Sequence, residues 1–292
     1  MQVLKFGGSS VASAENINKV ADILINRSTK DKTIVVVSAL GGITDLLLKS
    51  ADLAAGNDET YKTCLAEITQ RHLDTVKELL PVAQQSSALS LTKKLCNEIE
   101  DICNGIFLLG ELSERIKDKV VSYGELLSSQ IIAAKLRAVS LNAVWKDSKE
   151  LISSNSNYSA AVVDFTASNK NCREYFLNAS ESLFLLPGFI AADAAGNTTT
   201  LGRGGSDYTA AIFAAAVDAT VLEIWTDVSG MMTADPRIVN NTKLIPQVSY
   251  QEAMEFSHFG AKVIYPPTIQ PVMSKNIPVW IKNTFAPEDN GT

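Results

Sequence analysis

The 292-residue chain is 46% hydrophobic and 20% charged, the composition of a globular protein with a sizeable core, arranged as one large α/β domain or two lobes. A formal charge of −6, from 26 basic and 32 acidic residues with no long basic run, removes the electrostatic footprint of a nucleic-acid or anionic-membrane binder and favours small-molecule chemistry. Only two histidines are present, His72 and His258, which excludes a histidine-rich metal site and leaves few candidates for a Ser–His–Asp triad.

Met1 leads almost directly into the strand-like QVLKF with no leader pattern, and no stretch reaches the ~18 apolar residues of a spanning helix, so a cytoplasmic location is expected. The strand ends in KFGGSS. Glycines followed by small hydroxyl residues let backbone N–H groups approach an anion, and a helix starting just beyond adds its positive end. This is not a P-loop, because Lys5 precedes Gly7 and Gly8 instead of following them, and a plain tight turn is the competing explanation.

Next, ASAENINKVADILINR places Ile17, Val20, Ala21 and Leu24 at helical spacing with Ser13 as N-cap, and TIVVVSA reads as a fully buried strand. The β–α–β opening implies a parallel pair with a right-handed crossover. The second strand runs into SALGGITDLL, so two glycine-bearing loops from neighbouring strands face the same sheet edge, where open α/β folds bind ligands.

Residues 57–118 lack strand signals and read as a helical insertion, interrupted mainly at Pro81. VVSYGELLSSQIIAAKLRAV reads as a long core helix whose one exception is Glu125, a carboxylate expected early in that helix; a solvated surface glutamate is the alternative. Cys64, Cys96, Cys103 and Cys172 match neither CxxC nor a zinc ligand set and are expected to be reduced thiols in or near the core.

NAVWKD is a strand, SLFLLPGFIAAD is strand, turn, strand, and TTTLGRGGSDYTAAIFAAAV is a strand, a glycine-rich turn and an alanine-rich helix. In GRGGSD, turn geometry accounts for the glycines and an N-cap for Ser206, but Arg203 is left over; an arginine in a glycine loop suits bidentate capture of a carboxylate or phosphate. VLEIWTDVSGMMTADPR carries a strand into a loop with Thr226, Asp227 and Ser229, a helix follows near SYQEAMEFS, and IPVWIKN closes the pattern as a strand. Without repeats or a Pro/Ser linker, the two halves are expected to share one sheet.

KFGGSS, SALGGITDLL, SYGELLSS, LPGFIAAD, TLGRGGSDYTAA, EIWTDVSGMMTADPR, EAMEFSHFGAKVIYPPTI and IPVWIKNT occur in the order and approximate spacing of the aspartokinases. Over essentially its whole length the chain resembles that family, most of all the kinase domain of the bifunctional aspartokinase–homoserine dehydrogenases. The resemblance implies the amino-acid-kinase fold: an α/β sandwich with a mainly parallel open sheet between helical layers and a helical insertion. It also implies an amino-acid lobe over 1–187 and a nucleotide lobe over 188–292. The implied reaction moves the γ-phosphoryl of ATP, carried with Mg²⁺, onto the side-chain carboxylate of L-aspartate, a first step toward lysine, threonine and methionine.

Position by position, the resemblance makes Lys5 the stabiliser of the transferring phosphoryl, with Gly7, Gly8 and Ser9 cradling it, and Asp207 the organiser of Lys5 and the reacting groups. Arg203 and Glu125 hold the α-carboxylate and α-ammonium, while Ser38, Thr44, Phe189 and Ser206 line the substrate side. Thr226, Asp227, Met232, Arg237 and Lys262 form the nucleotide site. No protein metal ligand set is implied. A homo-oligomer is expected, with ACT regulatory domains and in some relatives a dehydrogenase attached in longer proteins; no GxGxxG follows a strand in these residues, so no dehydrogenase is expected here.

Ser229 stands where the family usually has an acid, and Met232 where it often has an aromatic ring, which leaves the adenine contacts open. The alternatives are another amino-acid-kinase member such as an acetylglutamate, carbamate or uridylate kinase, a non-catalytic amino-acid or nucleotide sensor, and a purely structural α/β domain. Glu125 with Arg203 argues against the first, because acetylglutamate has no free ammonium and carbamate no α-carboxylate. Lys5 with Asp207 argues against the second.

Overall fold

A computed structural model of the chain describes residues 1–292 other than 28–30, 235–237, 240 and 260–263. In chain order it contains β1 (Gln2–Phe6), α1 (Ala14–Arg27), β2 (Thr33–Val37), α2 (Ile43–Ala55), α3 (Tyr61–Leu79), α4 (Gln85–Leu109), α5 (Glu114–Ala138) and β3 (Ala143–Trp145). There follow α6 (Phe165–Asn178), β4 (Leu183–Pro187), β5 (Ile190–Ala192), β6 (Thr198–Thr200), α7 (Gly205–Ala216), β7 (Val221–Thr226), α8 (Tyr250–Phe259), α9 (Gln270–Met273) and β8 (Val279–Asn283).

The main sheet has the order β3-β4-β2-β1-β7-β8, and every neighbouring pair is parallel. Its central strands are continuous apolar runs because parallel strands are covered on both faces: QVLKF, TIVVV and LFLLP are buried at every position. Alternation then divides the side chains between two cores. Leu4, Phe6, Val35, Val37 and Leu185 pack against α1 through α5, whereas Val3, Ile34, Val36, Phe184 and Leu222 pack against α6, α7 and α9. Lys5 alternates with Leu4 and Phe6, so it leaves the strand on the α7 side.

The expected parallel pairing of β1 and β2 is present, and Ser13 Oγ accepts from Asn16 N at the start of α1. The insertion is packed helix on helix: Tyr61, Ile68, Val76, Ile99, Cys103 and Ile106 belong to the first core, and the expected boundary at 118 falls inside α5. That helix begins at Glu114, capped by Ser113 Oγ accepting from Ile116 N, so Glu125 sits in mid-helix and not near its start. All four cysteines are free and buried, and burial raises the thiol pKa of Cys96, Cys103 and Cys172. His72, sealed in the insertion, is held down to about 4 chiefly by desolvation. No helix among the described residues is long and apolar enough to cross a membrane.

β1 has β2 on one side and β7 on the other, so the chain order reverses at β1. Ligands of open α/β sheets bind at such a reversal, outside the carboxyl ends of the strands. The glycine loops after β1 and β2, the amino end of α7 and the loop after β7 all meet this edge.

Candidate active site

Lys5, the penultimate residue of β1, is 8% exposed, and its Nζ lies 2.6 Å from Asp207 Oδ1 in the first turn of α7. The ion pair joins the central strand to the helix covering its face, which fixes a flexible lysine at the sheet edge. Gly7 makes room for it: a Cβ there would stand 3.4 Å from Lys5 Nζ. Its own N–H is committed to Trp225 O at 3.0 Å, so Gly7 serves here by lacking a side chain. Gly8 closes on the second loop, where its carbonyl would stand 3.3 Å from a Cβ on Gly41. Sequence reading favoured Ser9, but Ser10 is the fully buried member of the pair; it bonds Trp225 O and, at 2.7 Å, Thr284 Oγ1.

Glu125 enters from the other helical layer. It is 4% exposed and its Oε2 has no hydrogen-bond partner among the described residues. Burial pushes its carboxyl up to about 8, against the lowering influence of backbone hydrogen bonds at Ala39 and of the Lys5 charge. The helix comes this close because of Gly124, where a Cβ would meet that of Ala39 at 2.9 Å. One turn later Ser128 Oγ donates to Ser38 O. Ser38 and Thr44, both half-buried, flank the glycine pair of this loop, and Arg71 of α3 donates to Gly41 O at 2.9 Å. Ser128 was detectable from its helical spacing to Glu125, whereas Arg71 had no local signal.

The third wall is the GRGGSD turn. Gly202 and Gly204 both adopt φ +70°, and α7 starts at Gly205 with Gly204 as N-cap, so Ser206 lies within the helix and not at its cap. Ser206 packs on Gly188, where a Cβ would lie 2.5 Å from its own. Phe189 holds a left-handed φ of +69°, a strained state for a bulky residue, and occupies the space over Gly205. Its N–H donates to Thr209 Oγ1 at 2.9 Å and its carbonyl accepts from Leu201 N at 3.0 Å, which holds the strained residue in place. Arg203 is exposed, and its guanidinium lies 5.6 Å from the centre of the Tyr265 ring. Tyr265 stood in a segment noted in the sequence, but nothing there paired it with Arg203.

Beyond β7, Thr226 Oγ1 donates to Asp227 Oδ1 at 3.1 Å and the Thr226 carbonyl accepts from Thr284 N. Ser229, where an acid was expected, donates to Asp289 and accepts from Asn283 Nδ2, so a carboxylate from later in the chain reaches this place. Met232 is half-buried and forms a β-bridge with Leu244. Arg237 and Lys262 lie outside the described residues. No cluster of three or more metal-binding side chains occurs among the described residues.

A model of the amino acid kinase family matches residues 1–283. The chain is 38% identical over 295 residues to the bifunctional aspartokinase/homoserine dehydrogenase of Buchnera aphidicola, covering 100% of this chain and 36% of that protein. To the lysine-sensitive aspartokinase 3 of Escherichia coli it is 35% identical over 296 residues, covering 99% of this chain and 63% of that one. The crystal structure of E. coli aspartokinase III with aspartate and ADP superposes with a TM-score of 0.91 at 34% identity, over 100% of this chain and 64% of that one. The chain thus spans between about a third and two thirds of the length of these relatives.

Proposed function

The chain belongs to the amino acid kinase family, and from that premise we propose that it transfers the γ-phosphoryl group of ATP to the side-chain carboxylate of L-aspartate, giving 4-phospho-L-aspartate. The observation that carries the reading is the 2.6 Å Lys5–Asp207 ion pair at the edge where the two glycine loops meet, in a chain 34% identical to an enzyme crystallised with aspartate and ADP.

The chemistry asks for what these residues supply. A carboxylate nucleophile, with an ordinary pKa of ~3.9, is ionised at neutral pH and needs no general base, which fits a site with no histidine among its described residues. Catalysis is then alignment and charge neutralisation. Lys5, steered by Asp207, faces the transferring group; the amides of Gly8 and Ser9 cradle the phosphates, since that of Gly7 is already engaged. Glu125 takes the α-ammonium and Arg203 the α-carboxylate, a pairing that selects an amino acid over a plain dicarboxylate. Ser38, Thr44, Phe189 and Ser206 complete the amino-acid pocket, and Thr226, Asp227, Met232, Arg237 and Lys262 the nucleotide side. Mg²⁺ enters with ATP, as part of the substrate, consistent with the preference of that ion for phosphate oxygens and water over all-protein cages. The same proposal divides the chain into an amino-acid lobe, 1–187, and a nucleotide lobe, 188–292, places it in the cytoplasm, and assigns self-association and feedback control to the longer protein.

The test is ADP release from Mg-ATP with trapping of the acyl phosphate by hydroxylamine. Aspartate-dependent hydroxamate is expected, with kcat reduced about 10²–10³-fold in Lys5→Ala, the usual cost of one charge-stabilising group. Phosphorylation of N-acetyl-L-glutamate or UMP in place of aspartate overturns the substrate assignment. Binding of ATP and aspartate with no turnover favours a sensor.

A further inference from the structure

Asp118 is a charged residue that the proposed chemistry leaves unused, although it is 1% exposed and lies on α5 together with Glu125. Four hydrogen bonds converge on its carboxylate. Ser159 N donates to both oxygens, at 3.0 and 2.9 Å, Thr200 N donates to Oδ2 at 2.9 Å, and Thr200 Oγ1 donates to Oδ1 at 2.7 Å. Both oxygens are therefore acceptors from N–H groups, an arrangement that an ionised carboxylate satisfies and a side-chain amide does not.

The donors belong to the segments that lead to Arg203. Thr200 ends β6, three residues before it. Ser159, at φ +70°, presents its carbonyl to Gly202, where a Cβ would stand 3.3 Å from that oxygen. Ala161 N closes the arrangement by donating to Thr200 O at 3.0 Å. Asp118 thus ties both the strand entering the arginine loop and the segment packed beneath that loop to one helix. Asp118 and Glu125 are seven residues apart, about two helical turns, and so lie on nearly the same face of α5.

We propose that Asp118 is a positioning residue: by locking the β6–α7 loop to α5 it fixes Arg203 relative to Glu125, and this spacing lets the protein read an α-carboxylate and an α-ammonium on the same carbon. The inference rests on the aspartate reading above. Such a span tolerates little error, because both groups of the ligand are held by one tetrahedral atom and recognition elements must be placed to within about 0.5 Å.

The experiment is the hydroxamate assay on wild type, Asp118→Asn, Thr200→Val and Thr200→Ser, with each substrate titrated separately. In Asp118→Asn the KM for L-aspartate rises about 10- to 100-fold, the range for misplacement at a distance. The KM for ATP stays within about twofold, and the preference for L-aspartate over succinate, which lacks the ammonium, shrinks. A purely structural role predicts a smaller folded fraction, which lowers apparent kcat and leaves both KM values unchanged. Where Asp118→Asn fails to fold, the threonine pair decides: Thr200→Val raises the aspartate KM and Thr200→Ser, which keeps the hydroxyl, restores it. Unchanged aspartate KM and selectivity in a folded Asp118→Asn, or in Thr200→Val, overturns the positioning role alone. Wild type that neither binds nor phosphorylates aspartate overturns the aspartate reading itself and this inference with it.

Discussion

Glu125 is the residue whose chemistry depends most on its surroundings. Its carboxyl, ordinarily near 4.5, is raised to about 8 because burial seals it from water, with one oxygen lacking a hydrogen-bond partner among the described residues. The folded state therefore holds a proton that the unfolded chain releases above pH 4.5, so stability from this group is complete below that pH and is lost as pH rises through about 8. Glu125→Gln removes the titration, and its urea midpoint is expected to fall less than that of wild type between about pH 5 and 9. Capture of an ammonium requires the ionised form, so aspartate binding expels a proton. The KM for aspartate in wild type is expected to drop as pH rises from about 6 to 8, by at most tenfold per unit, and a pH-independent KM would contradict this role. The identity of Lys5, Glu125, Arg203 and Asp207 as odd charges in apolar or glycine-rich settings was visible in the sequence. Tyr265 beside Arg203 was not, because residues 62 positions apart in a chain advertise no contact before it folds.

Elements were legible where periodicity was strong, and their ends where a cap or a glycine spoke. Strand β1, the crossover to β2 and the alanine-rich α7 follow from local pattern alone. The start of α5 did not: the polar Glu114–Lys119 stretch reads as the tail of the insertion, and only Ser113 with its bond to Ile116 N marks the true beginning. The glycine before Phe189 shows how one element positions another. A Cβ on Gly188 would fall 2.5 Å from the Cβ and 2.8 Å from the Cα of Ser206, so the obstacle is the body of α7 and not a movable side-chain tip. Gly188→Ala is expected to destabilise the fold by about 1–3 kcal/mol in equilibrium urea unfolding. By displacing the amino end of α7 it should also lengthen the Lys5–Asp207 contact and lower kcat. Wild-type stability and turnover in this variant would show that α7 yields more easily than its packing implies.

At the scale of the molecule, one parallel sheet separates two apolar cores, and the candidate site lies along the edge that both cores support. Ile131 of α5 belongs to one core and Ile212 of α7 to the other. Ile131→Val and Ile212→Val should each cost about 0.5–1.5 kcal/mol, and because the sheet lies between them the double variant should match their sum within about 0.5 kcal/mol. A larger coupling in urea titrations would mean that strain in one layer passes through the sheet to the other. The same partition explains how a lysine on β1 meets an aspartate on one layer and feels a glutamate on the other: its strand lies at the reversal of strand order, and both layers cover it from opposite sides.

The sequence by itself determined the alternation of elements, the parallel sheet, the glycine loops at strand ends and the charged residues gathered there, because these depend on spacing, backbone freedom and side-chain type within short windows. Tertiary structure alone decided that Gly7 spends its amide on Trp225, that Asp289 reaches Ser229, and that Asp118 gathers Ser159 and Thr200. Each of these joins segments far apart in the chain, and a hydrogen bond across such a distance is set by how layers pack, which no local pattern encodes.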